Sequence, residues 1–279
     1  MTFPTAPAGY RPSPHLLHGK TLLVTGAGDG IGRSAALAYA AHGASVILLG
    51  RTESKLEQVY DEIEAAGWPK PALVALDLAT ASEDNVIHLA AGLAQEFPHL
   101  DGLLHNASVL GERRPIESSS YASWQQVMQV NVNAPFLLTR QLLPLLQAAP
   151  TASIILTSSG VGRTGKAYWG AYAVSKFATE GFMQVLASEL ENTSRVRVNS
   201  LNPGPTNTSA TNRHIASKLW DQSRNASPST MWLAQATNIV TARTAAAGRV
   251  ARPTARRTPP MTSPKAAAPP QKVGAKVTP

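Results

Sequence analysis

The chain has 279 residues, of which 43% are hydrophobic and 15% charged, enough for one large domain with a buried core or for two small ones. The absence of cysteine excludes disulfides, thiolate metal ligands and cysteine nucleophiles, and it favours a reducing, cytoplasmic location. No apolar run is long enough to span a membrane, and the seven histidines lack metal-ligand spacing, so we expect neither a membrane span nor a metal site.

The net charge of +8 is distributed very unevenly. Residues 1–208 carry 14 basic and 16 acidic residues, a net charge of −2, whereas residues 209–279 carry 11 basic residues and only Asp221, a net charge of +10. The second segment is rich in Ala, Arg, Pro and Thr and offers too little apolar surface to offset the entropy of ordering it. We therefore expect a disordered basic extension, which at most makes non-specific contacts with nucleic acid.

From Lys20 onward, short aliphatic runs alternate with segments of helical periodicity, as in parallel βαβ units. Right-handed crossovers then predict a doubly wound α/β fold with helices on both faces of a parallel sheet. The six recognisable strands are predicted at 21–25, 44–49, 72–77, 100–106, 152–157 and 195–201. The helices are predicted at about 30–42, 53–66, 82–96, 123–148 and 170–192. The sequence therefore divides into three predicted parts: a Pro-rich segment at 1–19, the α/β domain at 20–208 and the extension at 209–279.

A glycine-rich turn follows the first predicted strand and opens the first predicted helix. A pyrophosphate requires such a turn, because Cβ atoms would obstruct it and because the start of a helix offers free amides at the positive end of its dipole. A tight strand-to-helix connection is the alternative, but the position within the first βαβ unit favours dinucleotide binding. The residues concerned are Gly26, Gly28, Asp29, Gly30, Ile31 and Gly32.

The ends of the next strands supply further candidate contacts, because ligands bind at the carboxyl edge of such sheets. Arg51 follows the second strand, where a fold that prefers NAD places an acidic residue. Arg51 can pair with a 2′-phosphate, which predicts a preference for NADP; alternatively it starts the next helix as a solvated residue. Asp77 and Leu78 end the third strand, and Asn106 and Ala107 end the fourth.

Tyr172 and Lys176 are four residues apart in a predicted helix, so their side chains lie on one face. A nearby ammonium and an oxidised nicotinamide ring would lower the pKa of the tyrosine from about 10 and make it an acid-base catalyst. Ser159 lies 13 residues before Tyr172. Its hydroxyl can hydrogen-bond a substrate oxygen while Tyr172 passes the proton.

Taken in order, these motifs resemble the short-chain dehydrogenase/reductase family, whose pattern is TGxxxGxG, Asn-Ala-Gly, Ser, YxxxK and Pro-Gly. The resemblance covers about residues 15–208, and the residues in and around these motifs are similar to those of the bacterial YciK-like oxidoreductases. It implies a Rossmann sheet and hydride exchange between NAD(P)(H) and a small-molecule carbonyl or alcohol. It also implies a homodimer or homotetramer.

The resemblance assigns roles to single residues. Tyr172 becomes the general acid-base, Lys176 the ribose clamp that also lowers the tyrosine pKa, and Ser159 the partner of the substrate oxygen. Asn131 becomes the residue that holds a water in the proton relay, with Asn133 as the competing candidate. The resemblance also implies that Asp77 contacts the adenine and that Asn106 stabilises the central strand. At the nicotinamide end, it implies a contact from Thr206 or Thr208, which follow Pro203 and Gly204.

The sequence departs from the family pattern in two places. Ser108 stands where the family has the glycine of Asn-Ala-Gly, and after residue 208 neither the substrate-covering helices nor the seventh strand is recognisable. The second departure leaves open a protein that binds the cofactor with weak or no turnover. Tyr168 and Trp169 should border the expected pocket, where they either contact the substrate or only pack, while Arg113 and Arg114 either recognise an anionic substrate or form a solvated loop pair.

Overall fold

The computed structural model describes residues 12–204. Within this part of the chain, six parallel strands form one sheet with the order β3-β2-β1-β4-β5-β6. The direction of winding reverses between β1 and β4, which confirms the predicted doubly wound α/β fold. The strands are β1 Thr21–Thr25, β2 Ser45–Gly50, β3 Ala72–Ala75, β4 Gly102–His105, β5 Ala152–Thr157 and β6 Val196–Leu201. The expected basic extension at 209–279, the region in which a seventh strand was sought, Thr206 and Thr208 lie outside the described residues.

The helices follow the predicted order with one difference. They are α1 Gly30–Ala41, α2 Glu53–Ala65, α3 Glu83–Glu96, α4 Tyr121–Met128, α5 Ala134–Ala148 and α6 Gly170–Leu190. The prediction of one uninterrupted helix at 123–148 is wrong, because a π-helical segment, Gln129–Asn133, separates α4 from α5. Apolar periodicity does not reveal such a widened turn, since the residues on both sides of it remain helical.

Two of the strands are shorter than predicted by two or more residues. β3 ends at Ala75, and Asp77 lies in the following loop, where its Oδ1 accepts a hydrogen bond of 2.9 Å from the amide of Ala79. This Asx turn ends the extended conformation that the aliphatic run suggested. β4 comprises only Gly102–His105, so Asn106 lies just beyond the strand.

The core lies on both faces of the sheet. Along β1, Leu23 packs on the side of α3, α5 and α6, whereas Leu22 and Val24 pack on the side of α1 and α2. Strands buried on both faces are what continuous aliphatic runs predict. Leu17 is fully buried among the α1-side residues, so the packed domain includes residues before Lys20.

His105, at the end of β4, is a buried polar residue in the core. Its Nε2 lies 2.8 Å from the Oγ1 of Thr139 on α5, which links the sheet to that helix. Burial disfavours the imidazolium and lowers the pKa of His105 to about 3. The side chain is therefore a neutral part of the fold at neutral pH.

This burial predicts a specific acid sensitivity. Between pH 6.5 and pH 3 the unfolded chain binds a proton at His105 that the folded chain does not bind, so stability falls as the pH falls. The free energy of unfolding of the wild type should lose about 1.4 kcal/mol more per pH unit than that of His105→Gln. Urea unfolding at pH 6.5, 5.5 and 4.5 measures both slopes. The exposed His88→Gln serves as control and should keep the wild-type slope, while equal slopes for wild type and His105→Gln would contradict the assignment.

Candidate active site

The carboxyl ends of β1 and β4 are joined by hydrogen bonds at the point where the sheet reverses its winding. Thr25 Oγ1 accepts hydrogen bonds from the amides of Asn106, at 2.9 Å, and Ala107, at 3.0 Å. The Asn106 side chain donates in return to the Thr25 carbonyl at 3.2 Å. These bonds have the form expected of a residue that stabilises the central strands, and they bring Asn106 and Ala107 against the glycine-rich turn.

The glycine-rich turn is too tightly packed for side chains at two of its positions. Gly26 has a φ of +68°, and a Cβ there would stand 3.1 Å from the Cα of Ala107. A Cβ on Gly32 would stand 2.1 Å from the Gly26 carbonyl oxygen. α1 begins at Gly30, and amides in the first turn of a helix have no partner within that helix. The turn therefore provides the unobstructed backbone and the helix start that a pyrophosphate requires.

The expected 2′-phosphate contact lies at the end of β2. Arg51 is exposed there, directly after the strand. Lys55, which the motif analysis missed, reaches back to the glycine-rich turn: its Nζ lies 2.6 Å from Asp29 Oδ2, and its Cβ lies 3.0 Å from where a Cβ on Gly28 would stand. No local motif indicates this contact, because Lys55 and Asp29 are 26 residues apart in the chain.

The other residues assigned to the cofactor have different environments. Asp77 is exposed and bonded within its own loop, whereas Leu78 is buried in the core. Ile31 packs against the α1-side core. Pro203 and Gly204 follow β6, which pairs with β5 and so brings them beside the residues that follow β5.

Tyr172, Lys176 and Ser159 come together at the carboxyl end of β5. The side chain of Lys176 is buried, and its Nζ donates a hydrogen bond of 2.8 Å to the Thr157 carbonyl at the end of that strand. The same Nζ lies 5.4 Å from the centroid of the Tyr172 ring. The hydroxyl of Ser159, two residues beyond Thr157, lies beside the phenol.

Burial controls the protonation of both groups on α6. It raises the pKa of Tyr172, and the neighbouring hydroxyls of Ser159 and Ser108 oppose that effect by stabilising the phenolate. Burial also lowers the pKa of Lys176 to about 8. The sequence predicted that the pKa of Tyr172 is lowered. In the structure that pKa is raised, because desolvation of the phenol dominates.

Ser108 contributes a hydroxyl to the site that the family pattern does not contain. Its Oγ is shielded from solvent beside Tyr172 and has no hydrogen-bond partner of good geometry in the described part of the chain. The phenol therefore has two serine hydroxyls beside it instead of one.

Asn131 connects the loop after β4 to the helix of the tyrosine. Its Oδ1 accepts from the Val109 amide at 2.9 Å, and its Nδ2 donates to the Val109 carbonyl, at 2.9 Å, and to Ser175 Oγ, at 3.0 Å. Ser175 Oγ in turn donates to the Tyr172 carbonyl at 2.8 Å. The competing Asn133 is exposed and donates to Gln129, so Asn131 is the asparagine of this pair that contacts α6.

From the sequence we expected neither a metal site nor a membrane span. Among residues 12–204, no group of three or more His, Asp or Glu side chains is arranged to hold a metal ion. Within the same range, no helix combines the length and the apolar character needed to cross a membrane.

Gly162 sets the distance between the segment after β5 and α6. A Cβ there would stand 2.8 Å from the backbone and the Cβ of Lys176, where no flexible side-chain end can yield. We predict that Gly162→Ala lowers the free energy of unfolding by about 1–3 kcal/mol, since α6 must move to admit the methyl group. Gly165→Ala, three residues along, is the control because its Cβ would meet no atom within 4 Å. Urea denaturation of both variants tests this, and equal stabilities would contradict the packing argument.

Comparison with known proteins places this geometry in a family. The short chain dehydrogenase family model matches residues 20–218. The oxidoreductase YciK of Escherichia coli K12 is 53% identical over 199 residues, which cover 71% of this chain and 78% of that protein.

Solved structures agree with the sequence match. A short chain dehydrogenase from Pseudomonas syringae superposes with a TM-score of 0.77 at 51% identity, covering 82% of this chain and 93% of that one. A short chain dehydrogenase from Shigella flexneri 2a, solved in complex with NADP, gives a TM-score of 0.74 at 48% identity and covers 79% and 92% of the two chains. With the Rossmann sheet, the glycine-rich turn and the paired Tyr172 and Lys176 in place, this chain belongs to the short-chain dehydrogenase/reductase family of oxidoreductases.

Proposed function

We propose that this protein transfers a hydride between NADP(H) and a small-molecule carbonyl or alcohol, using Tyr172, Lys176 and Ser159. The observation that carries the proposal is the meeting of these three residues at the carboxyl end of β5, the sheet edge that also carries the glycine-rich turn after β1. When bound, NADP(H) would supply or accept the hydride. The turn from Gly26 to Gly32, in which Gly26 and Gly32 are closely packed against the backbone, would hold the pyrophosphate.

In the proposed mechanism, side chains of the protein transfer the proton. During reduction, the hydroxyl of Tyr172 gives its proton to the carbonyl oxygen, and the hydroxyl of Ser159 donates a hydrogen bond to the same oxygen. The Lys176 ammonium, held by the Thr157 carbonyl, stabilises the resulting phenolate. Asn131 keeps α6 in register with the loop after β4 and, as the family implies, holds a water in the proton relay.

The proposed preference for NADP rests on charge at the end of β2. Arg51 replaces the acidic residue that would accept a ribose hydroxyl, and the nearby Asp29 carboxylate of the glycine-rich turn is paired with Lys55. The structure of the Shigella flexneri relative in complex with NADP supports this choice.

Nucleotide titration tests the role of Arg51. Wild-type protein should bind NADPH about ten- to a hundredfold more tightly than NADH, because a charge-assisted hydrogen bond contributes about 1.5–3 kcal/mol. Arg51→Ala should remove most of that difference by weakening NADPH alone. Lys70→Ala removes another exposed cation, in the loop between α2 and β3, and should leave the ratio unchanged. Equal affinities of the wild type for the two nucleotides would refute the assignment.

Substitution on α6 tests the chemistry. Tyr172→Phe should reduce carbonyl turnover by at least a thousandfold while leaving NADPH affinity nearly unchanged, because the lost hydroxyl acts on the substrate proton. Lys176→Ala should impair both, since its ammonium is assigned to the ribose and to the phenolate. Tyr168→Phe, which removes an exposed hydroxyl four residues earlier, is the matched control. NADPH oxidation followed at 340 nm gives the rates, and substantial turnover by Tyr172→Phe would contradict the mechanism.

A cofactor-binding protein with weak or no turnover is the second candidate. It is favoured by one observation, the lack of recognisable substrate-covering helices after residue 208. A panel of aldehydes and ketones distinguishes the two candidates, because the second predicts tight NADPH binding without NADPH oxidation on any of them.

We further propose that the protein is a homodimer or homotetramer in the cytoplasm. Large apolar side chains are exposed on α5 and α6, the helices that pair between subunits in the family: Phe136, Val174, Phe177 and Val185. Apolar groups of this kind are expected where subunits pack together. The lack of cysteine agrees with a reducing compartment. Non-specific contact of the basic segment with nucleic acid stays a prediction.

A further inference from the structure

The loop after β4 lies across the start of the helix that carries Tyr172. Ser119 Oγ is 4.0 Å from where a Cβ on Gly170 would stand. Nearer to β4, the guanidinium carbon of Arg113 lies 4.4 Å from the centroid of the Trp169 ring. Arg113 is itself exposed, so its guanidinium combines a cation–π contact on the indole with access to solvent.

Trp169 connects Arg113 to the candidate catalytic tyrosine. Its ring centroid lies 5.9 Å from that of Tyr172, with the two planes at 46°. The preceding Tyr168 has a φ of +70° and is the one non-glycine residue with a positive φ among residues 12–204. A bulky side chain rarely adopts this conformation, and such strained residues cluster at functional sites. The backbone at Tyr168 thus helps to set the position of Trp169, whose ring contacts both the arginine and Tyr172.

The charge of Arg113 is not neutralised within the described residues. No carboxylate in the range 12–204 forms an ion pair with it. The adjacent carboxylate, Glu112, accepts a hydrogen bond of 2.9 Å from the Ser120 amide and lies 3.8 Å from Arg114 Nε. The two loop arginines therefore differ: Arg114 has an acidic partner, and Arg113 has an aromatic platform beside Tyr172.

We propose that Arg113 forms an anion subsite at the mouth of the active site and selects carbonyl substrates that carry a carboxylate. The ring of Trp169 contacts both the guanidinium of Arg113 and the ring of Tyr172, so a spacer about as large as an aromatic ring would let a substrate place its carboxylate at Arg113 and its carbonyl at Tyr172. The indole would form the wall along which this spacer lies. The subsite rests on the proposed function, because its substrate reacts at Tyr172.

The test compares an acid with its neutral ester. 4-Formylbenzoate and methyl 4-formylbenzoate carry the same aldehyde and differ in charge at the opposite end of the ring. In NADPH-dependent reduction, the wild type should show a kcat/KM about ten- to a hundredfold higher for the acid, as expected for a charge-assisted contact. Arg113→Gln should bring the acid-to-ester ratio close to one, chiefly through a higher KM for the acid. Arg113→Lys should retain part of the preference, and Arg114→Gln should retain all of it.

Two results would overturn the subsite: a wild type that does not prefer the acid, or an acid-to-ester ratio that falls equally in Arg113→Gln and Arg114→Gln. Binding separates this outcome from a failure of the proposed function. Saturation-transfer NMR with 4-(hydroxymethyl)benzoate and NADP⁺ should detect the anion on wild-type protein and on Arg114→Gln but not on Arg113→Gln. If neither aldehyde is reduced while this difference persists, the subsite stands and the proposed reaction falls. If all three proteins bind the anion alike, the subsite falls.

Discussion

The buried ammonium of Lys176 is the constraint around which the candidate site is organised. Only 3% of the residue is exposed, and its Nζ donates to a main-chain carbonyl at the end of β5, with no carboxylate partner among residues 12–204. Burying a cation without a counter-charge is unfavourable, and the pKa of about 8 records that cost. Proteins keep such groups chiefly where their chemistry is used. The backbone of Gly162 packs directly on Lys176, so the ammonium, the strand end and α6 have fixed relative positions.

A second set of contacts connects this centre to the reversal point of the sheet. Thr25 and Asn106 join the ends of β1 and β4 beside the glycine-rich turn. Two residues beyond Ala107, Val109 is held at both its amide and its carbonyl by the side chain of Asn131. Asn131 also reaches α6 through Ser175. The glycine-rich turn and the helix of Tyr172 are therefore linked through the loop after β4 and the π-helical segment, which makes that irregular turn part of the candidate site.

The fold was largely predictable because it rests on patterns that the sequence displays directly. Aliphatic runs buried on both faces mark the strands, and the glycine-rich turn marks the first strand-to-helix connection. The spacing of four between Tyr172 and Lys176 placed them on one helical face, and the structure has them on one face beside Ser159.

What the sequence did not predict depends on tertiary contacts. The π-helical segment leaves the apolar periodicity of its neighbours intact, and the loop position of Asp77 depends on a local Asx turn. The pKa of Tyr172 was expected to fall, yet desolvation, which depends on everything packed around the phenol, raises it. The contacts of Lys55 with the glycine-rich turn and of Arg113 with Trp169 join residues that are far apart in the chain. No local motif identifies either pair.

The candidate site depends most on Lys176 being a preorganised, desolvated ammonium, and its protonation can be measured directly. Protein labelled with ¹³C at lysine Cε and free of nucleotide would be titrated by NMR from pH 6 to 11, with Lys176→Met identifying the resonance. We expect Lys176 to titrate near pH 8, well below the ordinary lysine value of about 10.4. A titration of Lys176 at the ordinary value would contradict this description, because it would mean that the ammonium is solvated and that burial does not shape the site.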